Sequence, residues 1–274
     1  MPIVKANDIN IYYEVHGQGE PLLMIQGLNN YSGHWTILLP PFAREYQTII
    51  FDNRGTGRTD KPEPPYTMKM MAADAKGVLD AIGIARANVL GVSMGGMIAQ
   101  EFALNYPDKV INLILGCTGC GGTHGVPATP ESIAFLMNPE RAKLSVEQRA
   151  RGTAPWLWTQ EYIDKHPEAV DDYVAITVKY PTPLHGLNGQ LQAVAGGDTY
   201  DRLPQIKAPT LVIVGDSDRL IPPENSRIIA SRISGAELVI IKNAGHAFTQ
   251  SPDAVKAILD FLKRHPEQSN KLKV

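Results

Sequence analysis

Between Asn88 and Gln100 the chain reads Asn-Val-Leu-Gly-Val-Ser-Met-Gly-Gly-Met-Ile-Ala-Gln. The apolar run before Ser93 is too short for anything but a buried strand, and the residues after it suit a helix. A strand that becomes a helix within so few residues needs a turn in which Ser93 is strained. Only Gly fits two residues before it (Gly91) and two after it (Gly95). The hydroxyl is then projected above a sheet. With 24 glycines in 274 residues the Gly-x-Ser-x-Gly pattern is weak by itself, so the rest of the chain must decide its meaning.

The flanking segments supply a sheet of the required kind. Ile3 to Ala6 and Ile9 to His16 read as a hairpin turned at Asn7-Asp8, with one face buried. Pro21 to Gly27, Tyr46 to Asp52 and Val110 to Gly116 are continuous apolar runs, which belong to parallel strands covered by helices on both sides. His34 to Phe42 offers a short helix closed by Pro40-Pro41. Thr67 is a candidate N-cap for a helix whose buried face is Met68, Met71, Ala72, Ala75, Val78, Leu79 and Ile82. Strands alternating with helices are the signature of a doubly wound sheet. From Gly121 the pattern changes: Ser132 to Tyr180 reads as several helices, and no buried strand returns before Pro209. The sheet resumes with Thr210 to Gly215 and Glu237 to Ile241, and a final helix starts with Ser251 as N-cap and Pro252 in its first turn. The expected class is therefore α/β, a mostly parallel eight-stranded sheet with a helical cap insertion. Core segments are expected at 1–120 and 206–274, the cap at 121–205, and a solvated tail from His265 to Val274.

Composition narrows the partners. A formal charge of -2, with Lys and Arg scattered, gives no electrostatic reason to expect nucleic acid or an anionic membrane. No signal segment and no apolar run of membrane-spanning length is seen, so a cytoplasmic protein, monomeric or homodimeric, is expected. The two cysteines form Cys117-Thr118-Gly119-Cys120. One such pair cannot supply four zinc ligands, and no thioredoxin-like helix start surrounds it, so both are read as small apolar side chains at a strand end.

A Ser hydroxyl needs a base within hydrogen-bond reach and a third group to orient that base. In an open parallel sheet such groups gather outside the carboxyl ends of the strands. Of the seven histidines, His246 follows the last strand and is the first candidate, with His34, after an earlier strand, the second. His124 and His185 lie in or beside the insertion. For the acid, Gly215 to Pro222 offers Asp216 and Asp218; Asp218 lies deeper in the loop and reaches better, while Asp216 suits the turn. The loop after Val110 to Leu115 carries Cys117 and no acid, which turns the choice toward Asp218. The chain order is Ser93, Asp218, His246.

These motifs together resemble the α/β-hydrolase fold family with a helical cap. Gly-Val-Ser-Met-Gly-Gly is similar to its nucleophile elbow and Asp52 to Thr59 to its D-x-R-G-x-G-x-S/T loop. Gly215 to Pro222 is similar to its acid loop and Asn243 to His246 to its histidine loop. Haloalkane dehalogenases and epoxide hydrolases of this family carry Asp where Ser93 stands. Where the family commonly reads His-Gly, this chain reads Gln26-Gly27-Leu28-Asn29, a departure shared with enol-lactonase-like hydrolases, whose elbow is also similar. The resemblance implies an oxyanion hole from the backbone N–H groups of Leu28 and Met94. It also implies hydrolysis of a small ester or lactone through an acyl-enzyme with no metal or organic cofactor. Gln26, Asn29, Trp156 and Trp158 are candidate pocket residues. Carbon–carbon bond hydrolysis, cofactor-free perhydrolysis and a small-molecule receptor on the same scaffold stand as alternatives.

Overall fold

The computed structural model describes residues 2–36, 38–248 and 251–267. The strands are β1 (Ile3–Ala6), β2 (Ile9–His16), β3 (Glu20–Ile25), β4 (Tyr46–Phe51), β5 (Ala87–Val92), β6 (Val110–Gly116), β7 (Thr210–Gly215) and β8 (Glu237–Ile241). Among the described residues they form one eight-stranded sheet in the order β1-β2-β4-β3-β5-β6-β7-β8, in which only β2 runs against the others. Asn7 and Asp8 close the β1–β2 hairpin, both with positive φ (49° and 84°), which matches the twist of paired strands.

The helices of the sheet's two faces are α1 (Leu39–Ala43), α2 (Met68–Ala81), α3 (Met94–Asn105), α9 (Pro223–Arg232) and α10 (Pro252–Arg264). Side-chain alternation along β3 shows how both faces are filled. Leu23 and Ile25 join the cluster containing Val78 and Leu79 of α2, Ile98 of α3 and Ile229 of α9. Leu22 and Met24 join Trp35, Phe42 of α1 and Ile258 and Phe261 of α10. All four β3 side chains are fully buried, each worth roughly 1.5–3 kcal/mol relative to exposure. Thr67 caps α2 as expected, its side chain accepting from the Met70 N–H. The expectation of a helix closed by Pro40-Pro41 is corrected. A 3₁₀ turn spans Ser32–Trp35, and Pro40 and Pro41 stand in the first turn of α1, where a missing N–H costs no hydrogen bond.

Between β6 and β7 lie α4 (Pro130–Leu136), α5 (Val146–Leu157), α6 (Gln160–Lys165), α7 (Pro167–Lys179) and α8 (Leu184–Gly196). The chain leaves the sheet at Gly121 and comes back beside it at Asp198, the two residues pairing in an antiparallel bridge. At the far end, the expected tail is pinned as far as it is described: the His265 carbonyl accepts from Asn112, and the Glu267 N–H donates to Glu20. The rest of that tail, 268–274, lies outside the described residues. No helix among the described residues is long and apolar enough to cross a membrane.

The sheet also locates the chemistry. From β3 the chain steps to β4 on one side and then to β5 on the other, so the order reverses between β3 and β5. The crevice outside the carboxyl ends of those two strands, where Gln26 and Ser93 emerge, is where an open α/β sheet binds ligands.

Candidate active site

Ser93 links β5 to α3 with φ 56° and ψ -125°, a backbone state that L-residues avoid. The flanking glycines show why the turn closes. A Cβ on Gly91 would lie 2.2 Å from the Gly95 carbonyl oxygen, and one on Gly95 would lie 2.1 Å from that of Ile25. Ser93 is tied by its own N–H to the Gly116 carbonyl (2.9 Å) and accepts at its carbonyl from the Thr118 hydroxyl (2.7 Å). The side chain is half-buried, and its hydroxyl makes no hydrogen bond among the described residues.

Gly116 and Thr118 flank Cys117, whose Sγ lies within 4.8 Å of ligand atoms of both Asp218 and His246. This places Asp218 and His246 beside the elbow. His246 Nδ1 is 2.7 Å from Asp218 Oδ2, while Asp218 Oδ1 accepts from the N–H groups of Leu220 and Ile221, each at 2.9 Å. The acid is wholly buried and the imidazole only 11% exposed. Four acceptor sites on the carboxylate meet two backbone donors and one ring N–H, so the tautomer with the proton on Nδ1 is selected and Nε2 is left to accept. Two bonds stitch the acid and histidine loops together: Asp216 N–H to Ile241 O (2.9 Å) and Ser217 N–H to Ala244 O (3.0 Å).

On the other side of Ser93, a Cβ on Gly27 would come within 3.0 Å of the Ser93 Cβ, so the 26–30 loop borders the elbow. The Gln26 carbonyl accepts from Asn53 Nδ2 (2.9 Å), the Gly27 N–H donates to Gln26 Oε1 (3.1 Å), and the Asn30 N–H returns to the Gly27 carbonyl (3.3 Å). The N–H groups of Leu28 and of Met94, the first residue of α3, have no such partner among the described residues. The helix end adds a partial positive charge at Met94.

A family model described as the alpha/beta hydrolase fold matches residues 20–249. The chain belongs to the α/β-hydrolase fold family. It is a hydrolase. This hydrolase is 31% identical over 255 residues to a poly(3-hydroxyalkanoate) depolymerase of Ectopseudomonas oleovorans, spanning 91% of this chain and 86% of that one. The structure of an N-acyl homoserine lactone degrading enzyme matches it with a TM-score of 0.82 at 30% identity, over 94% of this chain and 99% of that one. A malate-bound thermophilic esterase from Thermogutta terrifontis matches with a TM-score of 0.80 at 27% identity, over 97% of this chain and 100% of that one.

The other candidate side chains make contacts outside the group of Ser93, Asp218 and His246. His34 is half-buried in the seam between sheet and insertion, and desolvation there pushes its pKa down to about 4. His124 stacks flat on Tyr200, with ring centroids 3.7 Å apart, and His185 Nε2 lies 3.0 Å from the Lys61 carbonyl. Asp216 is exposed and accepts from the Ser217 hydroxyl. Trp156 stacks on Phe135 and lies under the Arg219 guanidinium, 4.4 Å from its ring centroid. Trp158 packs edge-on against Tyr173, and its indole N–H is buried without a partner among the described residues. Cys117 and Cys120 are both buried free thiols. Burial, reinforced by Asp218, pushes the Cys117 pKa well above the ordinary thiol value, so this group is no thiolate nucleophile despite its neighbours. Its place beside Asp218 and His246 is legible in the sequence, because it follows the strand end that offers the other position for an acid. Gln190 of α8 carried no such signal except its neighbours Gly186 and Gly189, which mark a close approach. It is fully buried against the 26–30 loop.

Proposed function

We propose that the protein hydrolyses a carboxylic ester or lactone by acyl transfer through Ser93. The observation that carries this reading is the strained Ser93 elbow set beside the buried Asp218–His246 pair. His246 Nε2 takes the Ser93 proton as Oγ attacks the carbonyl carbon, Asp218 stabilises the imidazolium, and the N–H groups of Leu28 and Met94 receive the oxyanion. Collapse expels the alkoxide, which takes the proton from His246; in a lactone it stays attached as a hydroxyl. His246 then removes a proton from water, whose oxygen attacks the acyl carbon, and the acid leaves as Ser93 Oγ is reprotonated. Each step is carried by a side chain or backbone amide of this chain.

The Ser93 hydroxyl must approach Nε2 to within about 2.6–3.2 Å for the first transfer, a contact that commonly tightens only with substrate bound. Gln26 and Asn29 on the sheet side and Trp156 and Trp158 on the cap side form the pocket walls in this reading. The activities of two of the relatives agree with it: a lactone and a poly(3-hydroxyalkanoate) both present ester carbonyls. Ser93→Ala should fold normally and lose about 10⁴–10⁶-fold in turnover of a p-nitrophenyl ester. Wild-type turnover in that variant would overturn the reading, and a panel of acyclic esters against lactones of matched size ranks the two substrate shapes.

A further inference from the structure

The oxyanion loop is held from the cap. We propose that Gln190, on cap helix α8, is a positioning residue that fixes the Leu28 N–H in its donor orientation, so that the cap completes the catalytic site. The inference rests on the reading of Leu28 as an oxyanion donor.

Within the loop, the turn from Gly27 to Asn30 is closed by one bond of 3.3 Å, long for N–H···O=C. Gly27 has no side chain to resist a peptide flip, and Asn29 sits in the left-handed region at φ 64°. What restrains the turn at its middle comes from the insertion. The Asn29 N–H donates to Gln190 Oε1 (2.9 Å), and the Asn29 carbonyl accepts from the Thr182 hydroxyl (3.3 Å). Both polar groups of Asn29's backbone are therefore fixed by residues more than 150 positions away in the chain.

Gln190 is itself anchored. It has no exposed surface, and its Nε2 donates to the Arg54 carbonyl (3.0 Å). Arg54 is held in turn by a two-pronged contact with Asp74 of α2, at 2.5 and 2.6 Å. Helix α8 comes close enough for this because two residues on the same side lack side chains. A Cβ on Gly186 would lie 2.3 Å from the Gly55 carbonyl oxygen, and one on Gly189 would lie 2.5 Å from the Tyr66 ring. Residues 186, 189 and 190 share that face by helical spacing. A buried amide with both ends satisfied fixes geometry tightly, because losing either bond leaves a backbone group unpaired.

The test uses the full chain, a p-nitrophenyl ester and a trifluoromethyl ketone that mimics the tetrahedral oxyanion. Gln190→Met should lower kcat about 10- to 100-fold, less than the 10²–10³ lost on removing an oxyanion donor itself, and leave KM within about threefold. Inhibition by the ketone should weaken by the same factor as kcat. Gln190→Glu, which keeps an oxygen facing the Asn29 N–H, should recover a large part of both. Should Gln190→Met fail to fold, Thr182→Val is expected to give a smaller parallel fall in the same two quantities. Unchanged kcat and ketone inhibition in the folded variant, or a change confined to KM, overturns the proposal. A wild-type enzyme insensitive to the ketone, or an active Ser93→Ala, instead overturns the Ser93 reading beneath it.

Discussion

The sheet and the cap hold their residues in different ways. Every residue of β5, β6 and β7 is buried, and the loops at their ends that carry Ser93 and Asp218 are fixed by backbone hydrogen bonds and by close contacts at glycines. The cap helices bury few residues each: two on α5, four on α7 and four on α8. Of the ten large apolar side chains left exposed among the described residues, eight lie in the cap, from Val126 to Leu191. The cap meets the rest of the chain through side-chain contacts such as Gln190 to Asn29, Tyr31 to Ile176, His34 to Thr177 and Asn243 to Glu161, and through the Ala247 N–H to the Leu157 carbonyl. The elbow and the acid loop therefore take their geometry from the sheet, while the 26–30 loop shares its restraint with the cap. Ser93 and Asp218 are thus held by the sheet, whereas Asn29 and the His246 loop also lean on the cap.

The largest test of that separation is Asp218→Asn. The two backbone donors on Oδ1 still have an oxygen to bond, so folding should change little. The amide can turn an N–H toward His246 Nδ1, which forces the proton onto Nε2 and leaves the imidazole unable to accept from Ser93. Turnover of a p-nitrophenyl ester should fall about 10⁴-fold with the melting temperature little changed. Equal losses in both would show that the site and the core are one cooperative unit.

The same division explains what could be read from the residues alone. Strands such as Leu22 to Ile25 announce themselves because burial on both faces demands a continuous apolar run. The elbow does so because its φ and its close contacts demand Gly91 and Gly95. Ser93, Asp218 and His246 follow from where those strands end. Helix α8 escapes the same reading, because Gly186, Gly189 and Gly196 dilute its helical pattern and its apolar Leu184 and Leu191 face outward. The proposed role of Gln190 depends on a contact across more than 150 residues, and local spacing marks it only through the close approach that Gly186 and Gly189 permit. Pro40 and Pro41 were open to either reading, since Pro both ends one helix and starts the next.

A middle-sized effect probes the seam. His34 Nε2 lies 3.1 Å from Thr177 Oγ1, whose own proton goes to the Tyr173 carbonyl, so the ring donates there and its Nδ1 accepts from the Tyr31 N–H. The ring is therefore neutral, desolvation opposing protonation more strongly than the Tyr31 carbonyl, 3.2 Å from Nδ1, and Asp52 favour it. Since the folded pKa is about 4 against an ordinary 6.5, the unfolded chain takes up a proton first as pH falls. This group's contribution to stability should thus be lost progressively from pH 6.5 to about 4, by up to about 3 kcal/mol, and level off below. Urea unfolding of wild type and His34→Gln at pH 7 and pH 4.5 isolates the term: the variant should lose less stability between the two. Parallel losses would mean that the seam admits water and His34 is not sealed by the cap.

The smallest effect is the most direct check that the cap's outer face is open. Leu184 is 72% exposed and Met137 76%. Exchanging either for Gln removes little packing, so stability should change by no more than about 0.5 kcal/mol and ester turnover should be unaltered. Leu184 is the more telling of the two, because it starts the helix whose opposite side carries Gly186, Gly189 and Gln190. A cost of 1 kcal/mol or more that grows with protein concentration would mean that Leu184 is covered in solution by a second copy of the chain, which sedimentation would detect as loss of a dimer. The cap would then be braced from outside as well as from the sheet. In that case a Leu184→Gln protein should also lose kcat, because α8 would transmit the loosening to Gln190 and the oxyanion loop.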